Sequence, residues 1–499
     1  MRSVLSDLES YRRDAEEFAS ARERAIYLHH AGHTPDLPLA ALHERFAHLF
    51  SVANAAALLE EAGAGPDTRR RSRRALAAFA VDGLMERATL RETEELARRE
   101  AAATITIDGA EVGYRRAAAL LANEPDAERR AVLERARLEV VATRLTPLLR
   151  ESWETRHALA RELGAASYRD LYERLAGVDL GALQQQGQAL LAETDDLYAA
   201  ALNRELRAIV GIGLEEARRS DVPRLMRAAP FDAWFPADGM IPALEETLAG
   251  LGVDLRRQTN LVLDTEPRPT KDPRAFCAPV RIPGEVYLVI APVGGVDDYR
   301  ALFHEAGHAE HFAGASRTLP FEFRYGGDAA VTETYAFLFQ HLTDDPVWLE
   351  RVLGFRDSRD HLRLAATRRL WQYRRYAAKL AYEIQLHDAP ALEGMPELYS
   401  ELLSAATLLV WPREPFLDDV DPGFYAASYL RAWALEASLR RHLREWLGTR
   451  WFQTRKAGNL LRELWHEGQR LSAEEVASEL DLPDIDLSVL VEEVAAILA

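Results

Sequence analysis

The stretch FHEAGHAEHF, from Phe303 to Phe312, places His304, Glu305 and His308 in the order H-E-x-x-H. That order carries chemistry only on a helix, where residues four apart share a face and both imidazoles can reach one point. Glu305 is rotated from them by about 100° and cannot join them without strain. It stands instead where it can hydrogen-bond a water at that point, the position of a general base in zinc hydrolases. A catalytic zinc ion takes three protein ligands and keeps a position open. The chain must therefore fold so that another ligand joins the two histidines.

Histidine, aspartate or glutamate has to provide it. Cys277 is the single cysteine, which rules out an intramolecular disulfide and any multi-cysteine metal site. His311 shares the stripe of His304 and His308 but sits about 10 Å along the axis from His304, too far for an ion about 2 Å from each nitrogen. It reads as a residue that packs or orients. Glu333 is the better candidate. Gly314, Pro320 and Gly326-Gly327 let the chain reverse, and Asp328 can cap a second helix, DAAVTETYAFLFQHL, ending at Leu342. There Glu333 shares the stripe of Ala329, Ala330, Ala336 and Phe337, where a carboxylate is costly to bury unless a cation offsets it. A zinc ion is one such cation, and an arginine partner is the other.

Most of the remaining sequence reads as amphipathic helix; from Leu133 to Leu145 the apolar positions recur at three- and four-residue spacing. Two interruptions are β-like. TITIDGAEVGY, Thr104 to Tyr114, alternates around Asp108-Gly109 and predicts a small hairpin. AFCAPVRIPGEVYLVIAP, Ala275 to Pro292, holds two β-prone runs joined by Pro283-Gly284. Its edge can take an extended peptide by strand addition or be purely structural. Gly294-Gly295 then turns the chain, and Asp297 can cap the helix that runs through the motif to about Gly314. The pattern changes at the Pro-containing stretch from Asp221 to Pro236, which predicts an N-terminal helical lobe over residues 1–227 and a catalytic lobe over 228–499.

With 48% hydrophobic and 28% charged residues the chain can bury a core, yet no apolar run approaches the roughly 18–20 residues that span a bilayer. The opening MRSVLSDLESYRRDAEEF lacks the apolar core of a secretory signal, so the expected location is cytoplasmic. A formal charge of −18 disfavours nucleic acid and anionic membranes as partners. The one local exception, RRRSRR from Arg69 to Arg74, reads as a solvated helix face. No feature fixes an oligomeric state.

Together, HEAGH and Glu333 resemble the thimet oligopeptidase and oligopeptidase F family of zinc metallopeptidases. That family carries HExGH on one helix and a glutamate ligand about 25 residues later on the next, and Gly307 matches its helix glycine. DPGFYAASYLRAWALEASL, Asp421 to Leu439, looks like the family's tyrosine-rich helix, and GNLLRELWHEGQRLSAEEVASEL, Gly458 to Leu480, resembles its carboxy-terminal pattern. A weaker likeness in GYRRAAALLANEPDAERR, Gly113 to Arg130, extends it to nearly the whole chain, with the specific part between Ala291 and Glu333.

The resemblance implies a mostly α, two-lobed metallopeptidase body with a deep cleft and a small β element before the HExxH helix. It implies one Zn2+ per chain on His304, His308 and Glu333, with Glu305 as general base and short peptides as substrates. It also implies that Tyr429 or Tyr425, four apart on one helix face, donates to the oxyanion; Trp433 continues that stripe, as a plain aromatic core would. Family members commonly carry a histidine shortly before these tyrosines, and here none occurs between His387 and Tyr429. Two rival readings stand. One is a zinc carboxypeptidase or dipeptidyl carboxypeptidase, for which Arg324 could hold a substrate's terminal carboxylate. The other is a helical binding protein without turnover.

Overall fold

The computed structural model describes residues 7–63 and 67–498, which are mostly α-helical with five strands. The first six residues of MRSVLSDLESYRRDAEEF lie outside the described residues. The rest of that opening enters a helix, Leu8–His30, capped by Asp7, whose side chain accepts from Ser10 N at 3.0 Å. No helix among the described residues is long and apolar enough to cross a membrane.

The chain forms two compact units, each assembled from separated segments. The first comprises the described residues up to Leu84 with Phe231–Leu362 and Arg431–Leu490; the second comprises Met85–Pro230, Arg363–Leu430 and the described residues from Val491. The expected division at residue 227 cuts the chain differently, because the amino-terminal helices group with the segment that carries the HExxH motif. That grouping depends on contacts between residues hundreds of positions apart, which local pattern does not encode.

In the second unit the Asp108-Gly109 hairpin forms as expected. Strands β1 (Thr104–Ile107) and β2 (Ala110–Gly113) pair antiparallel with Ile107 opposite Ala110, and both turn residues take positive φ, 51° and 79°. Ile105 and Ile107 point into a core with Tyr114, Leu121, Leu133, Val140 and Leu145. The helical stretch expected from Leu133 to Leu145 is interrupted. An α-helix, Ala127–Val140, passes through one π-helical turn, Val141–Leu145, into a further helix, Thr146–Glu162. Pro147, which has no N–H to donate, stands in the first turn of that helix and accounts for the break.

In the first unit the second β segment becomes two strands of three. β4 (Phe276–Arg281) and β5 (Glu285–Val289) pair antiparallel, and β3 (Leu261–Asp264) adds parallel to β5, giving the order β3-β5-β4. The Leu8–His30 helix contributes Tyr27, whose ring stacks on Tyr287 at 3.9 Å and whose hydroxyl donates to Asp264 at 3.2 Å. Lys271 Nζ and Arg268 Nη1 also donate to Asp264 at 3.0 Å, which fixes the end of β3.

The motif lies on the helix Val296–Gly314, and Glu333 lies on the helix Ala329–Leu342. Asp328 caps the second as expected, accepting from Ala330 N at 3.0 Å. Asp297 does not cap the first. It falls inside the first turn, Gly295 takes the cap position, and Asp298 reaches back to accept from Val293 N at 2.7 Å and Gly294 N at 2.8 Å. The two helices cross at Gly307, where a Cβ would stand 2.5 Å from Tyr335 O and 2.6 Å from Ala336 Cα. Only a residue without a side chain permits that approach.

Candidate metal centre

The crossing at Gly307 brings the ends of three side chains together. His304 Nε2 lies 3.4 Å from Glu333 Oε2, His308 Nε2 lies 3.7 Å from Glu333 Oε1, and the three ligand atoms fall within 4.8 Å of one another. Two donors about 2 Å from one ion at a tetrahedral angle stand about 3.3 Å apart, so the residues fit a single zinc-sized cation. No other such group of histidine, cysteine and acidic residues occurs among the described residues.

The surroundings hold these groups in the state a metal requires. Thr332 Oγ1 lies 2.8 Å from His308 Nδ1; a proton shared there leaves Nε2 as a lone pair turned toward Glu333. The His304 ring meets Phe337 at 5.1 Å, and Phe337 in turn packs on Trp433 at 5.3 Å. Burial, reinforced by the charge of Arg300, holds the His304 pKa down to about 4. Burial and the neighbouring His304 and His311 hold His308 well below its usual value. Both imidazoles are therefore neutral near pH 7 and can donate to a cation.

Glu305 stands beside the cluster, not in it. Its Oε2 accepts the backbone N–H of Cys277 at 2.8 Å. Cys277 sits on the edge strand β4 opposite Leu288, and its N–H faces away from β5 toward the motif helix. Burial pushes the Glu305 carboxyl up to about 8, opposed by the Cys277 N–H and assisted by the charge of Glu333. A cation nearby acts in the opposite direction. This anchor was hidden in the sequence, where Cys277 signified only the absence of disulfides.

His311 turns away from the cluster, as its axial offset predicts: it is buried, its Nε2 lies 3.1 Å from Gly468 O, and its ring meets Tyr335 at 4.9 Å. Arg324 is fully engaged. It donates to both carboxylate oxygens of Glu16 at 2.6 Å, to Ile282 O at 2.9 Å and to Leu319 O at 3.0 Å. A guanidinium so occupied has little left for a substrate carboxylate, which removes the support for the carboxypeptidase reading. In the basic run, Arg71 pairs with Glu475 and Arg73 with Glu61 at 2.7 Å, so part of it is a paired surface and not a wholly solvated one.

Tyr425 and Tyr429 belong to the second unit, at the start of the helix Tyr425–Leu447. Their rings meet edge to face at 5.1 Å, and Tyr429 also packs on Tyr376 at 5.2 Å. Tyr376, on the long helix Arg359–Asp388, gave no signal of its own in the sequence. Trp433, on the same stripe as the tyrosines, belongs to the first unit and its aromatic packing on Phe337.

No protein-family model matches the chain, and no curated protein matches it. Among solved structures, it is similar to the crystal structure described as "a putative oligoendopeptidase F from Bacillus anthracis str. Ames", with a TM-score of 0.62 at 15% identity over 97% of this chain and 84% of that one. The likeness shows a shared, mostly helical fold.

Proposed function

We propose that this chain is a zinc-dependent oligopeptidase that hydrolyses peptide bonds of short peptides. The observation that carries the reading is the convergence of His304, His308 and Glu333, with Glu305 held beside them by the Cys277 N–H. The name of the structural neighbour supports the peptide as substrate.

His304, His308 and Glu333 would hold the ion, which when bound supplies Lewis acidity toward water and the scissile carbonyl. Glu305 keeps one carboxylate oxygen on the Cys277 N–H and has the other to take a proton from the attacking water and pass it to the leaving amine. Thr332 keeps the His308 ring from rotating. Tyr429, with Tyr425 as its neighbour, would donate its hydroxyl to the oxyanion. The non-catalytic reading is disfavoured because a purely structural site has no use for a base outside the ligand set.

Glu305→Gln tests the reading. Metal content should be retained while kcat on a quenched peptide library falls by about 10²–10⁴, the range for loss of general acid–base catalysis. Activity within tenfold of the parent would remove Glu305 from this role.

A further inference from the structure

Within the second unit, Arg137, Arg219 and Arg375 line a cavity of about 120 Å³ together with Glu134, Asp418 and Asp419. Two of the guanidiniums are committed. Arg219 binds Glu134 at 2.5 Å and lies over the Trp411 ring at 5.3 Å; Arg375 pairs with Asp419 and lies over the same ring at 5.9 Å. Arg137 is different. It stacks on Tyr114 at 5.0 Å, forms no ion pair among the described residues, and has its Nε buried without a hydrogen-bond partner. Asp418 is its counterpart on the acidic side. It is exposed at the cavity and has no cation at ion-pair distance among the described residues.

A cavity lined by one guanidinium and one carboxylate that influence each other's charge without forming an ion pair complements a molecule with one group of each sign. A phosphate would meet Arg137 well but face Asp418 and Asp419, and a metal ion would face three guanidiniums. The space holds several water molecules and admits a molecule the size of a small amino acid. We propose that this cavity binds a single free α-amino acid, Arg137 taking its carboxylate and Asp418 its ammonium. Partial desolvation of its carboxyl and the charges of Glu100 and Asp419, opposed by those of Arg137 and Arg219, push Asp418 up to about 6, and an arriving ammonium would act in the opposite direction. The site is separate from the metal centre, and its occupancy does not depend on peptide hydrolysis.

Titration calorimetry at pH 7.5 with glycine, alanine, serine and proline tests this. Saturable binding of at least one is expected, weakened at least about tenfold by Arg137→Gln, by Asp418→Asn, and by using the N-acetylated or carboxamide form of the same amino acid. His308→Ala should bind like the parent, which separates this site from the proposed peptidase chemistry. Arg137→Lys, which keeps the charge, guards against a folding defect and should bind between the parent and Arg137→Gln. The proposal is overturned if none of the four binds below about 10 mM, if the blocked forms bind as well as the free one, or if both cavity variants bind like the parent.

Discussion

In the second unit the buried carboxylate of Glu383 and the partly buried one of Asp419 share their surroundings with Lys379 and Arg375, whereas in the first unit Glu333 faces two neutral imidazoles. Lys379 pairs with Asp421 and stands 3.8 Å from both Glu383 and Asp419; Arg375 pairs directly with Asp419. That region carries its counter-ions in its own sequence. At the metal centre Arg300, on the motif helix, is committed to Asp344 at 2.8 Å. A charge cluster that is complete in itself is built for stability, while acids that meet neutral nitrogen donors suit a cation from outside.

The contrast breaks first if the second cluster is dispensable. Lys379→Met takes the shared cation from Glu383 and Asp421 while Asp419 keeps Arg375, and should cost about 1–3 kcal/mol in urea unfolding, below the range for a fully buried pair because Asp421 is partly exposed. A loss below about 1 kcal/mol would show that the network is not structural. Tyr429→Phe asks whether the second unit also contributes to chemistry. Its expected outcome is a fall in kcat of about 10²–10³ with little change in KM and unchanged metal content. A rate within a few-fold of the parent moves the role to Tyr425 or away from these tyrosines.

Two smaller effects sharpen the comparison. In an ordinary helix Gly→Ala gains about 0.5–1 kcal/mol, but at Gly307 the new methyl meets Tyr335 O, so Gly307→Ala should lose about 1–2 kcal/mol and weaken metal binding. A stabilised variant would mean that the crossing relaxes. The second unit also buries two histidines, with His157 Nε2 2.9 Å from His387 Nδ1. Burial, with Arg161 adding, holds His157 down to about 4, and burial keeps His387 well below its usual value. Folded pKa values below the unfolded value give stability that is present above about pH 6.5 and lost as pH falls toward 4. For His157 alone the loss between pH 6.5 and 5.5 is about 1 kcal/mol, and His157→Gln should flatten that slope.

The metal ligands were the most legible part of the sequence. HEAGH fixes two donors by helix periodicity, and Glu333 stood out as a carboxylate on an apolar stripe. Both hairpins could be read from Asp108-Gly109 and Pro283-Gly284, since turn chemistry is local. The rest depends on distant pairing. Nothing near Leu261 announces that β3 will join β5 in parallel, nothing near Cys277 announces that its N–H will hold Glu305, and Arg324 finds Glu16 across 308 positions of sequence. Asp297 misled because Asp298, one residue on, bonds backward to the Gly294 turn instead.

Metal content of the purified protein tests the central claim most directly. Elemental analysis should find about one zinc per chain in the parent and almost none in His308→Ala, with the helical circular dichroism of that variant unchanged. A folded parent that holds no stoichiometric metal when purified with zinc present, or a His308→Ala variant that keeps its full zinc, would contradict the assignment of His304, His308 and Glu333 as the metal centre.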